Sequence, residues 1–526
     1  MAKFGFGRSK SNESKSEQTP RIGQPDIDKP LASSSDPTAL EVPQPFLHLL
    51  RQVKTQPNAL ALSTPSRDYT FRQVFETSKR IAAILRDRGI KPGDLVATAV
   101  DTEEDFLFFA ALLHEATIGS IAPANISDTL ATQIDWIISN RKIANFPEDR
   151  QILIDSRFQQ DFENTSSVIE PNVYPSFQTY CRVVFSSGTT GTPKAIPFPI
   201  DSLEARNKYS REVWMPVKPF MSLIGMGAVT GFQAAYATLV DGAPYISGGN
   251  SRDNLNLIQK NQVASIKCSP LQLADLLAEV QKSPEKIKSL KVAQTAGSKL
   301  PNELAKNFSA AVGCQIINLY GATEVGLISK RTGISEDDSD VGFLVEGAEV
   351  EIVDDQDNPL PVGQTGTIRW HRDFMATEYF KNPEATQNSF RGRWFYPGDT
   401  GFKTEDGRLF LAGRRSELIN AGGIKLDPAA IDVFLRAQPG VIDGASFSFN
   451  GIFGLAAFAV AVVAKPGFDN EGLRNSFKRA YGGVAPAVVF MVPEIRRNLM
   501  GKVERSLHAK HLEEVLAQQQ VQNKNR

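Results

Sequence analysis

The chain has 526 residues, too many for one ordinary domain, so we expect two or three folded units. Its composition is that of a globular protein, with 41% hydrophobic and 22% charged residues and a formal net charge of -1. So balanced a charge excludes a strong electrostatic attraction to nucleic acid or to an anionic membrane surface, and we expect neither as a partner.

The three cysteines, Cys181, Cys268 and Cys314, are far apart in the sequence and show no CxxC spacing. They predict neither a disulfide framework nor a metal site, and they fit a reducing compartment best. We therefore predict a cytoplasmic location.

The first 44 residues are rich in Ser, Pro, Lys and Asp and poor in large apolar side chains, which is typical of disorder. Charges stand where a secretory signal peptide would have its apolar core. The longest apolar stretch, residues 452–464, is shorter than the roughly 20 residues that a bilayer span needs, and it predicts a loop followed by a buried strand. We expect a disordered N-terminal tail and no transmembrane segment.

From Phe46 onward, helices and strands alternate. The stretch TFRQVFETSKRIAAILRDRGIKPGD predicts a helix, because Thr70 and Gln73 form a capping-box pair and Gly89 stands where the helix must stop. A buried strand, LVATAV at 95–100, and a second helix, EDFLFFAALLHEATIG at 104–119, follow it. The same alternation recurs up to about residue 330, which predicts a parallel sheet with helices on its faces.

The pattern changes after Gly333. EVEIVDD, GTIRWHR and GRLFLAG are short alternating strands separated by turn sequences, and they predict a small antiparallel β-barrel. The fold class is therefore α/β: a large N-terminal domain of parallel-sheet layers plus the barrel, followed by a small mobile α+β domain. The expected boundaries are 1–44 for the tail, 45–413 for the large domain, 414–515 for the small domain and 516–526 for a frayed end.

One loop in the large domain has an unusual composition. VVFSSGTTGTPK at 183–194 places glycines and hydroxyls directly after an apolar strand, so that backbone N–H groups and hydroxyls can converge on one anion beside a lysine. We expect a polyphosphate ligand, although the loop taken alone also fits a Ser/Thr-rich surface turn. The spacing differs from the Walker pattern, because Pro193 precedes Lys194 and Ala195 follows it. The candidate residues are Ser186, Ser187, Gly188, Thr189, Thr190, Gly191, Thr192 and Lys194.

Four motifs in order identify a family resemblance. SSGTTGTPK resembles the phosphate loop of the adenylate-forming (AMP-binding) superfamily, which includes acyl-CoA synthetases, peptide-synthetase adenylation domains and luciferases. NLYGATEVG resembles the YGxTE motif, and FYPGDTGFKTEDGRLFLAGRRSELINAGGIKLDP resembles the GD and GRxxE–GG motifs. RNLMGKVERSLH resembles the C-terminal motif with its single lysine. The resemblance covers about residues 45–515 and is closest in character to the acyl-CoA synthetases.

The resemblance implies ATP, Mg²⁺ and CoA as cofactors, and it assigns roles at the phosphates. Lys194, with Thr189 and Thr190, would hold the β- and γ-phosphates. Glu324 would carry Mg²⁺, and Thr323 would hydrogen-bond the α-phosphate.

At the nucleoside, the resemblance implies that Tyr320 stacks on adenine and that Asp399 accepts hydrogen bonds from both ribose hydroxyls. Arg414 would bind ribose or phosphate. The remaining nucleotide-binding positions that the resemblance implies are Gly297, Ser298, Lys299, Asn318 and Gly321.

A single lysine in the small domain, Lys502, is implied to stabilise the charge that develops between the acid's carboxylate and the α-phosphate. With Lys194, Thr323 and Glu324, it completes the expected catalytic set.

The acid pocket corresponds to LIGMGAVTGF at 223–232, with Ala228 where many acyl-CoA synthetases have an aromatic residue or a histidine. This stretch lacks the aspartate with which amino-acid-activating domains hold the substrate ammonium. Met226, Gly227, Ala228 and Gly231 imply a roomy, apolar pocket without fixed charge, suited to a fatty or aryl acid.

The expected acyl acceptor is CoA. Gly422 and Gly423 resemble part of the family's pantetheine tunnel, Lys425 follows where a phosphate contact would be useful, and Ser416 occupies the expected hinge position. The sequence thus predicts activation of a carboxylic acid with release of pyrophosphate, followed by thioester formation. Two alternatives stay open: an adenylating enzyme that loads an acyl carrier protein, and a catalytically silent acyl- or nucleotide-binding relative.

Overall fold

The computed structural model describes most of the chain. Leu40–Glu41, which the sequence assigned to the tail, pairs with Tyr174–Pro175, and residues 1–39 of the predicted tail lie outside the described part. Within the described ranges, no helix combines the length and the apolarity that a membrane span requires. These ranges are 40–41, 44–100, 102–113, 117–120, 131–165, 174–175, 180–186, 194–213, 217–282, 287–414, 419–421, 424–426, 428–450, 456–481, 485–498 and 501–524.

The N-terminal part of the large domain is built on a six-stranded sheet. Five of its strands are parallel. The sixth, Lys194–Pro199, pairs antiparallel with Tyr180–Ser186, and these two strands flank the glycine-hydroxyl loop. In spatial order, the strands are Lys194–Pro199, Tyr180–Ser186, Thr117–Ser120, Leu95–Ala99, Trp136–Ser139 and Gln151–Leu153.

A second, twelve-stranded sheet follows. Its first four strands are parallel, and the others are antiparallel and continue directly from the fourth. The expected antiparallel strands after Gly333 are present, and their continuity with the parallel strands is a feature that the sequence did not indicate. In spatial order, the strands are Phe220–Ser222, Ser265–Cys268, Val292–Ala296, Gln315–Ala322, Gly326–Thr332, Asp340–Leu344, Arg408–Arg414, Asp399–Lys403, Gly366–His371, Trp394–Phe395 and Phe390–Arg391, with Glu349–Val353 paired to Gly366–His371.

Helices cover the faces of both sheets, and a small three-stranded sheet of Tyr245–Ile246, Leu60–Ser63 and Asp68–Thr70 packs among them. Phe71–Asp87 and Ser251–Lys260 bury one apolar face, as their periodic sequence patterns predict, whereas Val229–Asp241 is buried along most of its length on all sides. The helices of the large domain are Gln44–Thr55, Phe71–Asp87, Thr102–Leu112, Ser156–Asn164, Ile200–Val213, Val229–Asp241, Ser251–Lys260, Pro270–Lys282, Asn302–Val312 and Pro383–Ser389.

Two early helices test the sequence patterns directly. The capping box of Thr70 and Gln73 is confirmed, since both reciprocal hydrogen bonds are present. The prediction of one helix over 104–119 was wrong at its C-terminal end, because the helix ends at Leu112 and Thr117–Ser120 is a strand. That strand pairs in parallel with Leu95–Ala99, so ladder hydrogen bonds at the sheet centre outweigh the helical pattern of the sequence.

The small C-terminal domain is an α+β unit. Its three-stranded sheet carries one apolar cluster on each face, and helices cover both. The frayed end predicted after residue 515 was wrong as far as Lys524, because the last helix includes it; Ala, Gln and Lys are good helix formers. The elements are the hairpin Ile419–Ala421 and Ile424–Leu426, the strands Val441–Asn450, Ala456–Ala464 and Val488–Met491, and the helices Pro428–Arg436, Asn470–Ala480 and Arg505–Lys524.

Candidate active site

The site begins where the large sheet changes from parallel to antiparallel pairing. The strand Gln315–Ala322 turns back at once into Gly326–Thr332. A side chain at Gly321 would place its Cβ 2.0 Å from the carbonyl oxygen of Gly326, and Gly326 itself has a φ of +90°. Both glycines of NLYGATEVG are therefore needed to close this turn, which carries Thr323 and Glu324.

Glu324 lies in a cluster with a residue that the sequence analysis did not single out. Glu324 is 8% exposed, and its carboxylate oxygen Oε1 accepts a hydrogen bond of 2.7 Å from the hydroxyl of Tyr379. The Nζ atom of Lys194 lies 4.6 Å from the centroid of the Tyr379 ring. Tyr379 thus contacts both the predicted phosphate-binding lysine and the predicted metal ligand.

The cluster also locates the glycine-hydroxyl loop. Lys194 is the first residue of its strand and pairs directly with Ser186, the last residue of the preceding strand. The loop therefore leaves and re-enters the sheet beside Glu324. The candidate residues Ser187, Gly188, Thr189, Thr190, Gly191 and Thr192 lie outside the described residues, as does the side chain of Ser186.

A buried arginine fixes the backbone of the turn. Arg206 donates from Nη1 to the carbonyl oxygen of Thr323 at 2.8 Å, from Nη2 to that of Glu324, and from Nε to that of Phe374 at 3.1 Å. Burial lowers its pKa to about 9. Sequence reasoning missed Arg206, because an arginine in the polar sequence of its helix is indistinguishable from a solvated one.

A second pair of predicted nucleotide-binding residues meets beside this turn. The hydroxyl of Tyr320 donates to Oδ2 of Asp399 at 2.5 Å, and Asp399 is 6% exposed. The Tyr320 ring packs edge-on against Trp370, with 5.1 Å between ring centroids. Asp399 pairs with Arg414 across neighbouring strands, which brings a third predicted residue to the same place, although the Arg414 side chain is outside the described part.

The remaining predicted nucleotide-binding positions lie at the ends of adjacent parallel strands. Asn318 is buried, and its Oδ1 accepts a hydrogen bond of 3.3 Å from the Thr295 hydroxyl. Gly297 follows the strand Val292–Ala296 with a φ of +97°, and Ser298 and Lys299 come next. Ligands of open α/β sheets bind at the carboxyl ends of such strands.

The predicted acid-pocket segment is held from both sides. Nη2 of the buried Arg182 donates to the carbonyl oxygen of Met226 at 2.8 Å. A Cβ at Gly231 would lie 2.1 Å from the carbonyl oxygen of Gly225, so this helix can approach the segment only with glycine there. Between them, Gly227 and Ala228 are half-buried, and Ala228 caps the helix Val229–Asp241.

Lys502 lies on a tight turn of the small domain, next to a residue that contacts the large domain. The backbone N–H of Asn498 donates to the carbonyl oxygen of Lys502 at 2.9 Å, and the N–H of Lys502 donates back to Asn498 Oδ1 at 3.1 Å. Gly501 has a φ of +75°, and a Cβ on it would lie 2.8 Å from Cβ of Leu271 in the helix Pro270–Lys282. The lysine turn therefore touches the large domain at the end of the strand Ser265–Cys268.

The predicted CoA and hinge positions are described only in part. Lys425 pairs with Asn420 in the hairpin of the small domain, so Gly422 and Gly423 connect the two hairpin strands. Ser416, Gly422 and Gly423 lie outside the described residues, as does the side chain of Lys425.

The residues around Glu324 fit a magnesium ion that accompanies a nucleotide. In the part of the chain that the structure describes, three or more His, Cys, Asp and Glu side chains do not come together anywhere as a metal site. Mg²⁺ needs no such cage, because it binds one or two carboxylates together with waters and substrate phosphates. The buried carboxylate of Glu324, close to the base of the glycine-hydroxyl loop, would supply that protein ligand.

Comparison with known proteins places this geometry in a family. The chain is 24% identical over 488 residues to 4-chlorobenzoate–CoA ligase of Arthrobacter, which covers 86% of this chain and 92% of that protein. It is 24% identical over 489 residues to 2-succinylbenzoate–CoA ligase of Bacillus velezensis, covering 87% and 96%.

Solved structures confirm the fold class. O-succinylbenzoate coenzyme A synthetase (MenE) from Bacillus subtilis in complex with AMP matches with a TM-score of 0.74 at 20% identity, over 87% of this chain and 97% of that one. ATP-bound MatB from Rhodopseudomonas palustris matches with a TM-score of 0.74 at 20% identity, over 89% and 99%. The family model described as AMP-binding enzyme matches residues 49–380, more than half of the chain. The chain therefore belongs to the AMP-binding enzyme family, the adenylate-forming superfamily that its motifs predicted.

Proposed function

We propose that this protein activates a carboxylic acid with ATP and then transfers the acyl group to CoA. In the first step, a carboxylate oxygen attacks the α-phosphorus of ATP and pyrophosphate leaves, which gives an acyl-adenylate. In the second, the CoA thiol attacks the acyl carbon and AMP leaves. The observation that carries the proposal is the meeting of Lys194, Tyr379 and Glu324 at the base of the glycine-hydroxyl loop.

The phosphate end of the reaction needs positive charge at fixed positions. Lys194 would balance the charge of the β- and γ-phosphates, and the loop that begins beside it would donate hydrogen bonds to the same oxygens. A magnesium ion held by Glu324 would offset phosphate charge. Because Tyr379 donates to one oxygen of Glu324, it would orient that carboxylate toward the phosphates.

The nucleoside end needs fixed acceptors and an aromatic surface. Asp399 would accept the two ribose hydroxyls, and Tyr320 would contact the base and hold Asp399 through its own hydroxyl. Thr323 lies on the turn that Arg206 fixes, and there it would donate a hydrogen bond to the α-phosphate. Lys502 would stabilise the charge on the carboxylate and α-phosphate as their bond forms.

Two observations support CoA as the acceptor and a carboxylic acid as the substrate. The relatives that match over most of their length are named as CoA ligases of 4-chlorobenzoate and 2-succinylbenzoate, and others are named as crotonobetaine/carnitine–CoA ligases. Gly227 and Ala228, at the start of the helix Val229–Asp241, present no bulky or charged side chain, which suits an acyl or aryl group, whereas Gly231 packs against the carbonyl oxygen of Gly225.

A panel of carboxylic acids tests the proposal. Wild-type protein with ATP and Mg²⁺ should exchange labelled pyrophosphate into ATP only when a suitable acid is present, and added CoA should convert that acid to its thioester. Exchange without any CoA thioester, but with acylation of a carrier protein, would point to carrier loading instead. Failure to exchange with every acid tested, although ATP binds, would favour the silent relative and contradict the proposal.

A further inference from the structure

One buried arginine contacts the predicted acid-pocket segment on both sides of Gly227 and Ala228. Arg182 is fully buried, and its Nη2 atom donates to the carbonyl oxygen of Met226 at 2.8 Å, just before the two small residues. Its guanidinium carbon lies 4.8 Å from the centroid of the Phe232 ring, in the first turn of the helix that follows them. A single side chain therefore contacts both ends of the stretch that would face the acid.

The charge of Arg182 has a buried counter-ion on a different element. Nη2 lies 3.4 Å from Oδ2 of Asp105, which is 3% exposed and belongs to the helix Thr102–Leu112. The other carboxylate oxygen of Asp105 accepts a hydrogen bond of 2.5 Å from the Thr98 hydroxyl. Buried ion pairs add little net stability relative to apolar side chains of similar size. What this pair supplies is a guanidinium group that is held in one orientation, with Met226 as its second acceptor.

The start of the pocket segment is held by the twelve-stranded sheet. The N–H of Leu223 donates to the carbonyl oxygen of Lys267 at 2.8 Å, and the side-chain amide of Gln272 donates to the carbonyl oxygen of Leu223 at 2.7 Å. Arg182, in contrast, belongs to the strand Tyr180–Ser186 of the six-stranded sheet. The segment thus spans the two sheets. Because the same strand runs into the glycine-hydroxyl loop, Arg182 ties the acid segment to the strand that carries the phosphate loop.

We infer that Arg182 is a positioning residue for the acid. It holds the backbone on both sides of Gly227 and Ala228, so that the carboxylate of a well-fitting acid is aligned with the α-phosphate, and it acts through this backbone rather than on the acid itself. Sequence analysis did not single out Arg182, although a charged residue inside the apolar strand before the loop was a signal for it. The inference deepens the proposed function and rests on it.

Loss of the arginine should weaken acid binding and leave ATP binding unchanged. Arg182→Met keeps an unbranched apolar stem and removes the donor to Met226. Pyrophosphate exchange with the acid that gives the fastest exchange in the panel should show a KM for that acid raised about tenfold, the scale of one hydrogen bond from a charged donor, and an unchanged KM for ATP. The preference for this acid over an analogue with one more methylene should fall.

Arg88 offers a matched control in the same domain. It also pairs with an aspartate, with 2.6 Å between Nη2 and Oδ2 of Asp161, and its guanidinium carbon also lies over a phenylalanine ring, 5.5 Å from the centroid of Phe158. These contacts lie outside the pocket segment, so Arg88→Met should change neither KM. The double variant Arg182→Met/Asp105→Asn leaves no unpaired buried charge, and it takes the place of the single variant if that protein does not fold.

Hydrogen exchange of the full chain gives a readout that does not depend on turnover. Backbone amides of residues 223–232 should exchange about tenfold faster in the Arg182 variants than in the wild type, because a hydrogen bond from a charged donor to this segment is lost. Arg88→Met should leave their exchange unchanged. Slower protection elsewhere in the large domain is not expected in either protein.

The outcomes separate the inference from the proposed function. An unchanged KM for the acid in a folded Arg182 variant would overturn the inference and leave the proposed function standing. A parallel rise of the KM values for acid and ATP would also overturn it, since that result indicates a general loss of structure. If wild-type protein exchanges pyrophosphate with no acid, the proposed function is contradicted and the inference with it, whatever hydrogen exchange shows about the segment.

Discussion

The two domains hold their candidate catalytic groups in different ways. In the large domain, Glu324 and Asp399 are buried, and each accepts a hydrogen bond from a tyrosine hydroxyl. In the small domain, Lys502 is half-buried on a turn that meets the other domain through Gly501 and Leu271. Glu324 and Asp399 are therefore positioned before any ligand binds, whereas the position of Lys502 depends on how the two domains meet.

This difference separates the two halves of the proposed reaction. Fixed groups in the large domain would bind the nucleotide in both half-reactions. A lysine that the small domain presents can serve one half-reaction and be withdrawn for the other. Changes in the large domain should therefore alter nucleotide binding, and changes at the lysine turn should alter adenylation alone.

The largest effect is expected at the lysine itself. Lys502→Ala should lower the rate of acyl-adenylate formation about 10²–10³-fold, because a charge-stabilising group is lost from the transition state. Thioester formation from a supplied acyl-adenylate should stay near the wild-type rate. The check is to measure both half-reactions separately, with Lys510→Ala as the control at an exposed lysine of the same domain. An unaffected adenylation rate would remove Lys502 from the proposed mechanism.

Acid should loosen the small domain selectively. His508 is 3% exposed, its Nε2 accepts a hydrogen bond of 3.0 Å from the N–H of Arg496, and burial lowers its pKa to about 4. The unfolded domain binds the proton more tightly, so this contribution to stability is complete above about pH 6.5 and is lost as the pH falls toward 4. Protonation of His508 alone should therefore raise the equilibrium constant for opening of the small domain on the order of 10²-fold.

Hydrogen exchange of the full chain between pH 7.5 and 4.5 measures this opening domain by domain. His508→Leu should reduce the pH dependence of the small domain and leave that of the large domain unchanged. Equal acid sensitivity of the small domain in both proteins would show that His508 is not responsible.

A ribose contact should appear as a loss of binding. Asp399→Ala should raise the KM for ATP about 10- to 100-fold, because hydrogen bonds to a charged group contribute about 1.5–3 kcal/mol in ground and transition states alike. Steady-state kinetics at saturating acid give this value. Glu405→Ala, at an exposed carboxylate beyond the same strand, is the control. A KM that does not change would place Asp399 outside the nucleotide site.

The smallest effect tests the contact between the domains. Gly501→Ala should slow adenylation about tenfold, because the added methyl group meets Leu271 and the backbone has a φ of +75°. Gly467→Ala introduces the same strain at a φ of +79° in a turn with nothing within 4 Å of the new Cβ. Only the first variant should impair adenylation, and Leu271→Gly should restore part of the rate. Equal loss in both variants would assign the effect to strain rather than to domain contact.

Much of the fold could be predicted from the amino-acid sequence. The Thr70–Gln73 capping box is a local signal, since both hydrogen bonds join residues three apart, and the structure contains it. The alternating pattern of the short segments after Gly333, and the turn sequences between them, predicted the antiparallel strands. Where the signal was not local, the prediction was wrong: residues 117–119 continue a helical pattern in the sequence, but strand pairing with Leu95–Ala99 decides their structure.

The sequence by itself determined the family and the order of the candidate residues, because four motifs with fixed spacing carry them. Only the tertiary structure revealed that Tyr379 joins Lys194 to Glu324 and that Arg206 holds the turn that carries Glu324. Tyr379 and Arg206 lie in segments far apart in the chain, and neither belongs to one of the four motifs. Burial and contact across strands give them their chemistry, and both exist only after the chain has folded.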